Sequence, residues 1–319
     1  MTEKEIIERI RELFPQRAAT VGIGDDAAVV GEQAITTDML IEDVDFTRAV
    51  PVESIARKSL AVNLSDLAAM GAIPAYAVVA LGIPQWLINS IDPFLRALAE
   101  FARQYDIDLV GGDLSRAEKL IIAITATGWV ESRPLLRSGA HPGDRLYVSR
   151  PLGAAAGGLE LLTRWKSIEP PSDLPYAQRE FAVSAIRRLI EPEPEVKLGI
   201  ALAGLTQITS CIDISDGLST DLHHLCDASS AGAEIERQRI PVFPDLLGSG
   251  TALGIDARAA VLHGGEEYAL LFTSAMRESE LSTRLGRPVY AIGKMVSDKG
   301  VRIDGQPLEP GGFDHFAVK

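Results

Sequence analysis

Aspartates in five short motifs are the residues of this sequence best suited to chemistry. Each motif ends an apolar run or enters a glycine turn, and each contains at least one carboxylate. The motifs are Gly24-Asp25-Asp26, Thr36-Thr37-Asp38, Asn63-Leu64-Ser65-Asp66, Gly111-Gly112-Asp113 and Asp213-Ile214-Ser215-Asp216-Gly217. Carboxylate and hydroxyl oxygens are the ligands that Mg²⁺ selects, and Mg²⁺ commonly links protein carboxylates to substrate phosphates. The series therefore indicates a magnesium and phosphate site.

Each motif taken alone has a simpler explanation, because aspartate and glycine are common in turns and aspartate caps helices. Asp66 is the hardest to explain in that way, since it lies inside a helix predicted from Val52 to Met70. An unpaired carboxylate among apolar neighbours is costly, and a metal ion would compensate for it. Asn63, one helical turn earlier, is expected to hold that carboxylate. The alternative is that Asp66 lies on an exposed helix face.

Two other motifs supply further oxygen atoms and a flexible backbone. Thr36, Thr37 and Asp38 offer three consecutive oxygen ligands, or else form an ordinary polar strand end. Gly112 permits close approach of a phosphate just before Asp113, although a tight turn explains this pair equally well.

Asp213, Ser215 and Asp216 lie where a predicted strand ends and a helix begins. Backbone N–H groups at such a place also face phosphates. The sequence contains no G-x-x-x-x-G-K-[ST] loop and no combined set of protein-kinase signatures. A phosphate site in this chain would therefore depend on the aspartates.

The composition limits the partners that the protein can have. The chain has 319 residues, with 44 acidic against 31 basic, and its net charge of -13 disfavours nucleic acids and anionic membranes. The first 14 residues have helical apolar spacing rather than the apolar core of a signal peptide. The two cysteines, Cys211 and Cys226, indicate neither a disulfide framework nor a zinc site. We expect a cytoplasmic protein with no nucleic-acid or membrane partner.

Apolar runs and helical periodicity alternate along the chain, which predicts an α/β fold. In the first half we expect an opening helix, helices after Pro51 and Pro93, and β-rich runs at 27–30, 34–37, 76–83 and 120–130. In the second half we expect strands at 145–149 and 208–214 and helices at 154–162, 175–190 and 217–228. The proline- and glycine-rich segment 131–144 indicates a boundary between two domains, 1–137 and 138–319.

The order and spacing of the motifs resemble the superfamily that contains aminoimidazole ribonucleotide synthetase and, within it, the thiamine-monophosphate kinase family. The resemblance covers nearly the whole chain. It rests on five segments: Gly22-Ile23-Gly24-Asp25-Asp26-Ala27-Ala28, Asn63 to Ala72, Asp213 to Leu218, Gly264-Gly265-Glu266-Glu267-Tyr268 and Gly312-Phe313-Asp314-His315-Phe316. It implies an α/β (α+β) architecture: an N-terminal mixed sheet with helices that binds ATP and magnesium and dimerises, followed by a C-terminal α/β domain.

The resemblance also implies an activity, the transfer of the ATP γ-phosphoryl group to thiamine monophosphate by direct, magnesium-assisted in-line displacement. Several Mg²⁺ ions would be held by Asp26, Thr36, Thr37, Asp38, Asp66, Asp113, Asp213 and Asp216. ATP would contact Gly112, Arg137 and Ser215, and thiamine monophosphate would contact Asp45, Glu266 and Phe313. The protein would be a homodimer joined through its N-terminal sheets.

Two positions depart from the family pattern. Asp45, before Phe46, stands where the family commonly has a substrate-contacting histidine, and Glu267 replaces the aspartate of the usual G-G-E-D-Y motif. We nominate no catalytic acid or base, because a phosphate monoester with a second pKa of about 6 is largely ionised at neutral pH. Two alternatives stay open: another ATP-dependent ligase or synthetase of the same superfamily, and a non-catalytic sensor of nucleotides or divalent cations.

Overall fold

Two mixed β-sheets with helices packed on them make up the structure, a computed structural model that describes residues 3–14 and 16–313. The first sheet has five strands in the order β1-β2-β5-β3-β4, and the second has seven in the order β12-β11-β8-β10-β6-β9-β7. This arrangement confirms the predicted α/β class and the two-part architecture. His315 and the other residues after Phe313 in the last motif lie outside the described residues.

The first sheet and its helices are built from the first half of the chain. Its strands are β1 (Ala28–Val30), β2 (Gln33–Ile41), β3 (Ile73–Ile83), β4 (Asp108–Arg116) and β5 (Ile121–Trp129). Its helices are α1 (Glu3–Leu13), α2 (Val52–Ala69), α3 (Gln85–Ile88) and α4 (Ile91–Gln104). All neighbouring strands are antiparallel except β3 and β4, which are parallel.

The second sheet takes all its strands from the rest of the chain. They are β6 (Arg145–Val148), β7 (Ile208–Asp213), β8 (Gly232–Ile235), β9 (Leu270–Ser274), β10 (Tyr290–Val296), β11 (Gly300–Ile303) and β12 (Gln306–Pro307). The helices are α5 (Ala154–Trp165), α6 (Tyr176–Ile190), α7 (Val196–Ala203), α8 (Leu218–Ser229), α9 (Ala257–His263) and α10 (Glu278–Leu285), with short 3-10 and π turns at Arg237–Arg239 and Leu246–Gly250. The connector from β5 to β6 contains the proposed domain boundary between Arg137 and Ser138.

Helix α2 joins the two halves of the molecule. Pro51 precedes its first turn, and its small and apolar residues bury nearly every face, with Leu60, Leu64 and Leu67 at 0 % exposure. It packs under strands β2 and β5 of the first sheet and against α7 and β7 of the second half. Residues near the end of α2 therefore lie between the two sheets.

Two segments that the sequence marked as turns or strand ends are the middle of strands. Strand β2 continues through Thr36, Thr37 and Asp38 because its pairing with β5 extends to Ile41. The Gly111-Gly112-Asp113 segment lies inside β4, paired with β3. The alternative of a tight turn there does not hold, since the glycines serve strand pairing: a Cβ on Gly112 would lie 1.8 Å from the Val79 carbonyl oxygen.

The face of the first sheet that points away from α2 is exposed and partly apolar. Met39, Val78 and Trp129 share this face by register and are 40 to 56 % exposed. The edge strand β4 is exposed along its whole length. Within residues 3–14 and 16–313, no helix has both the length and the hydropathy needed to cross a membrane.

Candidate active site

Three carboxylates meet in the space between the two sheets. Oxygen atoms of Asp26, Asp66 and Asp213 all lie within 4.8 Å of one another. Asp26 precedes β1, Asp66 lies near the end of α2, and Asp213 ends β7. Because strands and a helix from both halves of the chain supply these residues, the packing of α2 against β7 brings the carboxylates together.

Hydroxyl groups beside the cluster hold two of these carboxylates. Thr36 Oγ1 donates to Asp66 Oδ2 at 2.5 Å, and Ser65 Oγ donates to Asp213 Oδ2 at 2.5 Å. These bonds fix the carboxylates but remove no negative charge. Asp38 belongs to the same group, because it shares a hydrogen bond with Asp66.

Asn63 has a different role from the one expected. Its Oδ1 accepts from the backbone N–H of Asp38 at 3.2 Å, and its amide nitrogen donates to the Ser59 carbonyl at 3.1 Å. The expectation that Asn63 holds the Asp66 carboxylate was wrong. The residue instead fixes strand β2 against helix α2, which sets the position of Asp38.

Arg137 is the cation that pairs with the cluster. Its guanidinium donates twice to Asp26 Oδ1, at 2.6 and 3.1 Å, and its backbone N–H donates to the carboxylate of Asp25. The second oxygen of Asp26 is buried and has no hydrogen-bond partner in the described part of the chain. A buried carboxylate oxygen without a donor, next to other carboxylates, is what a divalent cation compensates.

Burial raises the pKa of every carboxyl group in the cluster, and the charges of neighbouring carboxylates add to this at Asp25, Asp38, Asp66 and Asp213. Burial is the largest cause in each case, and it raises the pKa of Asp38 to about 6, that of Asp25 to about 7 and that of Asp213 to about 8. The pKa of Asp66 lies well above its ordinary value, because burial is reinforced by the charges of Asp38 and Asp213. Without a cation, the cluster therefore holds protons near neutral pH.

The loop after β7 approaches two of the predicted substrate-binding residues. The Glu266 N–H donates to the Ser215 carbonyl at 2.7 Å, and the Phe313 N–H donates to the Asp216 carbonyl at 3.2 Å. Glu266 has a φ of +61°, a left-handed conformation that is uncommon outside glycine. The backbone therefore brings Ser215, Asp216, Glu266 and Phe313 beside the Asp213 end of the cluster.

The start of helix α8 differs from the expected phosphate site. Asp221 Oδ2 accepts from the backbone N–H groups of Asp216 at 3.2 Å and of Gly217 at 2.9 Å. These two donors are therefore already engaged. Asp216, Asp221 and His224 form a second group whose ligand atoms lie within 4.8 Å of one another.

Three predicted residues lie away from the carboxylate cluster. Thr37 points to the opposite face of β2, where its hydroxyl donates to the Ile124 carbonyl and accepts from Thr125. Asp113 is exposed on the edge strand β4, next to Gly112. Asp113 pairs with a residue of β3, which pairs with a residue of β5, and that residue pairs with Met39 on the outer face of β2. Three strand spacings, about 14 Å in total, therefore separate Asp113 from β2.

A cavity of about 170 Å³ adjoins the predicted substrate residue Asp45. Leu40 and Phe46 line it from the first half of the chain, and Leu162 of α5 and Leu189 of α6 line it from the second. Asp45 Oδ2 accepts from the Ile41 N–H at 2.7 Å, so the carboxylate closes the turn after β2.

Lys58 is a residue of this region that the motif analysis missed. It lines the cavity, its side chain is 5 % exposed, and Nζ lies 2.5 Å from Glu266 Oε1. The sequence signal was a lysine inside the otherwise apolar face of the predicted helix after Pro51.

Glu267, the second departure from the family pattern, has a structural role. Its carboxylate accepts from the N–H groups of Gly153 and Ala155 and so caps α5.

Comparisons with known proteins first define the class. The N-terminal domain model of the AIR synthase related proteins matches residues 24–130, and the C-terminal domain model matches residues 141–306. The two halves of the structure therefore correspond to the two domains of that class.

Individual relatives then define the family. The chain is 35 % identical to the thiamine-monophosphate kinase of Haemophilus influenzae, over 99 % of this chain and 98 % of the relative, and 38 % identical to that of Escherichia coli strain K12, over 93 and 92 %. A solved structure described as "AaThiL complexed with AMPPCP and TMP" superposes with a TM-score of 0.87 and 30 % identity, over 99 % of this chain and 97 % of that one. The chain belongs to the thiamine-monophosphate kinase family.

We predict that the metal-free protein loses stability as the pH rises. The carboxyl pKa values of Asp38 and Asp213 are raised in the folded state, so folding favours the protonated forms. This contribution to the free energy of unfolding is complete below about pH 4 and is lost as the pH rises through about 6 to 8. The loss is about 1.4 kcal/mol per pH unit for each proton that the folded protein retains and the unfolded chain has released. Urea unfolding in a chelator at pH 6 and pH 8 measures the loss.

Asp66→Asn should reduce this loss, because it removes one repelling carboxylate from the cluster. Asp173→Asn, at an exposed position far from the cluster in sequence, is the matched control and should behave as the unaltered protein does. Equal pH dependence in all three proteins would contradict the electrostatic account of the site.

Proposed function

We propose that this protein transfers the γ-phosphoryl group of ATP to thiamine monophosphate, giving ADP and thiamine diphosphate. The observation that carries the proposal is the largely buried cluster of Asp26, Asp66 and Asp213 between the two domains. It lies in a chain that is similar to a protein solved with AMPPCP and TMP, and AMPPCP is an analogue of ATP. The two curated relatives are thiamine-monophosphate kinases, and the chain matches them along nearly their whole length.

Mg²⁺ is the cation that this donor set favours. The oxygens are hard carboxylate and hydroxyl ligands, and the unpartnered oxygen of Asp26 is already in the cluster. The ions would be held by Asp26, Thr36, Asp38, Asp66, Asp213 and Asp216. Bound Mg²⁺ would neutralise the triphosphate and stabilise the charge that moves between the two phosphates.

The chain's own residues align the two phosphates for in-line transfer. Arg137 already lies at the cluster, where its guanidinium is positioned to contact ATP phosphate oxygens once the cations engage Asp26. Ser215, on the loop that follows Asp213, is positioned to contact the same ligand. No residue is assigned as a general base, because the acceptor phosphate is mostly ionised at neutral pH.

The organic part of thiamine monophosphate is assigned to the region around the cavity. Glu266 offers a carboxylate, and Phe313 a half-exposed aromatic face, to the cationic thiazolium ring. Asp45 lines the cavity, but its carboxylate is bonded to the backbone of Ile41. Asp45 therefore shapes the turn beside the substrate. Its bonded carboxylate would not make the substrate contact that the family's histidine makes.

A homodimer through the first sheet is part of this proposal. The exposed strand β4 and the apolar outer face of the sheet would be covered by a second copy, because an uncovered apolar edge promotes association. Asp113 and Gly112 lie at this edge, away from the cluster of their own chain. We assign them to the site of the partner chain, beside its ATP.

The cysteines bear on the compartment in which the protein works. Both are free and buried, which is consistent with the cytoplasm.

ADP release measured with and without thiamine monophosphate tests the activity. We expect release that requires Mg²⁺ and thiamine monophosphate together, with thiamine diphosphate as product. Unphosphorylated thiamine should not react, because we assign the carboxylates to metal binding and none of them to activating its hydroxyl. Asp66→Asn should lower turnover at least 100-fold while the protein stays folded. Use of an aminoimidazole precursor instead would favour a related synthetase, and ligand binding without turnover would favour a sensor.

Mixing two inactive variants tests the shared site. Asp66→Asn and Asp113→Asn are each expected to be inactive alone. If each site combines Asp66 of one chain with Asp113 of the other, random mixed dimers recover about one quarter of wild-type activity, because half of the dimers carry one intact site. A mixture that stays inactive, with exchange of chains verified by mass, would place both aspartates in the site of a single chain.

A further inference from the structure

We propose that Lys58 binds the phosphate group of the acceptor, and that the Lys58–Glu266 ion pair selects an acceptor that carries both a cation and a phosphate. The inference rests on the proposed function and adds a specificity-determining residue to it. Lys58 lies on α2 in the first half of the chain and Glu266 precedes β9 in the second. Their side-chain atoms are 2.5 Å apart, so the pair spans the two domains.

The position of Lys58 is unusual for a lysine. Its side chain is only 5 % exposed, and it projects from a helix whose other faces are almost entirely buried. Lysine is rarely buried to this extent, and burial of its charge is costly unless partners surround it. Such a position is expected where the charge has a function that packing alone does not explain.

The donors of Lys58 are only partly engaged. The ammonium group has three N–H donors. One contacts Glu266 Oε1 at 2.5 Å, and another reaches the carbonyl oxygen of Asp45 at 3.5 Å, the upper limit for a hydrogen bond. With respect to residues 3–14 and 16–313, at least one donor is thus left for an anionic ligand beside the cavity, and phosphate oxygens are strong acceptors for it.

Charge around the cavity also favours this assignment. Lys58 is the only cation among the residues that line the cavity in the described ranges, and two carboxylates, Asp43 and Asp45, line it as well. Asp43 is paired with Lys119 at 3.2 Å, and Asp45 is bonded to the Ile41 N–H. A phosphate that enters this region therefore meets Lys58 as its attractive charge.

Thiamine monophosphate has a charge distribution that complements the pair. It carries a fixed positive charge on the thiazolium ring and negative charge on the phosphate. Glu266 would face the ring and Lys58 the phosphate, so each side chain exchanges its protein partner for one end of the ligand. The Glu266 N–H is bonded to Ser215, so the pair adjoins the loop that carries Asp213 and Asp216. The phosphate held by Lys58 would therefore lie next to the loop that carries these two proposed metal ligands.

Substitution of Lys58 tests the assignment through the difference between two ligands. Lys58→Met keeps the approximate length of the side chain and its apolar stem. We expect the KM for thiamine monophosphate to rise roughly 10- to 100-fold in this variant, because one charge-assisted hydrogen bond is lost. The KM for ATP should change by less than about twofold. Calorimetric affinity for unphosphorylated thiamine, measured without ATP, should not fall, because Glu266 remains and no longer has to separate from Lys58. Lys58→Arg should recover part of the lost affinity for the phosphate.

The matched control is Arg57→Met. Arg57 is the preceding residue of α2, is paired with Glu191 at 3.0 Å, and does not line the cavity, so its loss should leave both KM values unchanged. Equal weakening of thiamine and thiamine monophosphate by Lys58→Met would overturn the proposal, since Lys58 would then only position Glu266. If Lys58→Met does not fold, Lys58→Gln is measured in the same way. A wild-type protein that does not respond to thiamine monophosphate would instead contradict the proposed function.

Discussion

Repulsion among carboxylates that the fold holds together is the constraint on which the rest of this structure depends. Carboxylate oxygens of Asp26, Asp66 and Asp213 lie within 4.8 Å of one another, and Asp38 is hydrogen-bonded to Asp66. Arg137 forms an ion pair with Asp26 of this cluster. In water these groups would separate. Here the packing of two domains holds them together, and the cations that we propose for this site would relieve the repulsion.

Helix α2 is the element that imposes this cost. Its apolar residues after Val52 are buried, mostly under the first sheet, and the helix also packs against α7 and β7 of the second domain. The same helix carries Asp66 in the cluster and Lys58 at the cavity. One rigid element therefore places the proposed metal ligand and the proposed acceptor-binding cation in a fixed relation, which is what transfer between two phosphates requires.

The sequence was most informative where periodicity and burial agree. Helix α2 and the place of Asp66 within it followed from an apolar pattern that an acidic residue interrupts, and the α/β alternation followed from runs that are long and regular. Strand β4 was missed because Gly111 and Gly112 indicate a turn when pairing with β3 cannot be seen. Lys58 and Asn63 were missed or misassigned because their partners, Glu266 and Asp38, are distant in sequence and meet them only in the folded chain. Motif spacing identifies residue types, but only tertiary contacts decide which of them meet.

Metal ions and nucleotide bind cooperatively if, as we propose, they share the acidic cluster. The most direct measurement is the melting temperature of the protein with Mg²⁺ alone, with AMPPCP alone, and with both. Each ligand makes the other's binding more favourable if the cations lie between the carboxylates and the phosphates, so the shift with both should clearly exceed the sum of the separate shifts. Strictly additive shifts, or an AMPPCP shift that does not depend on Mg²⁺, would contradict a shared site.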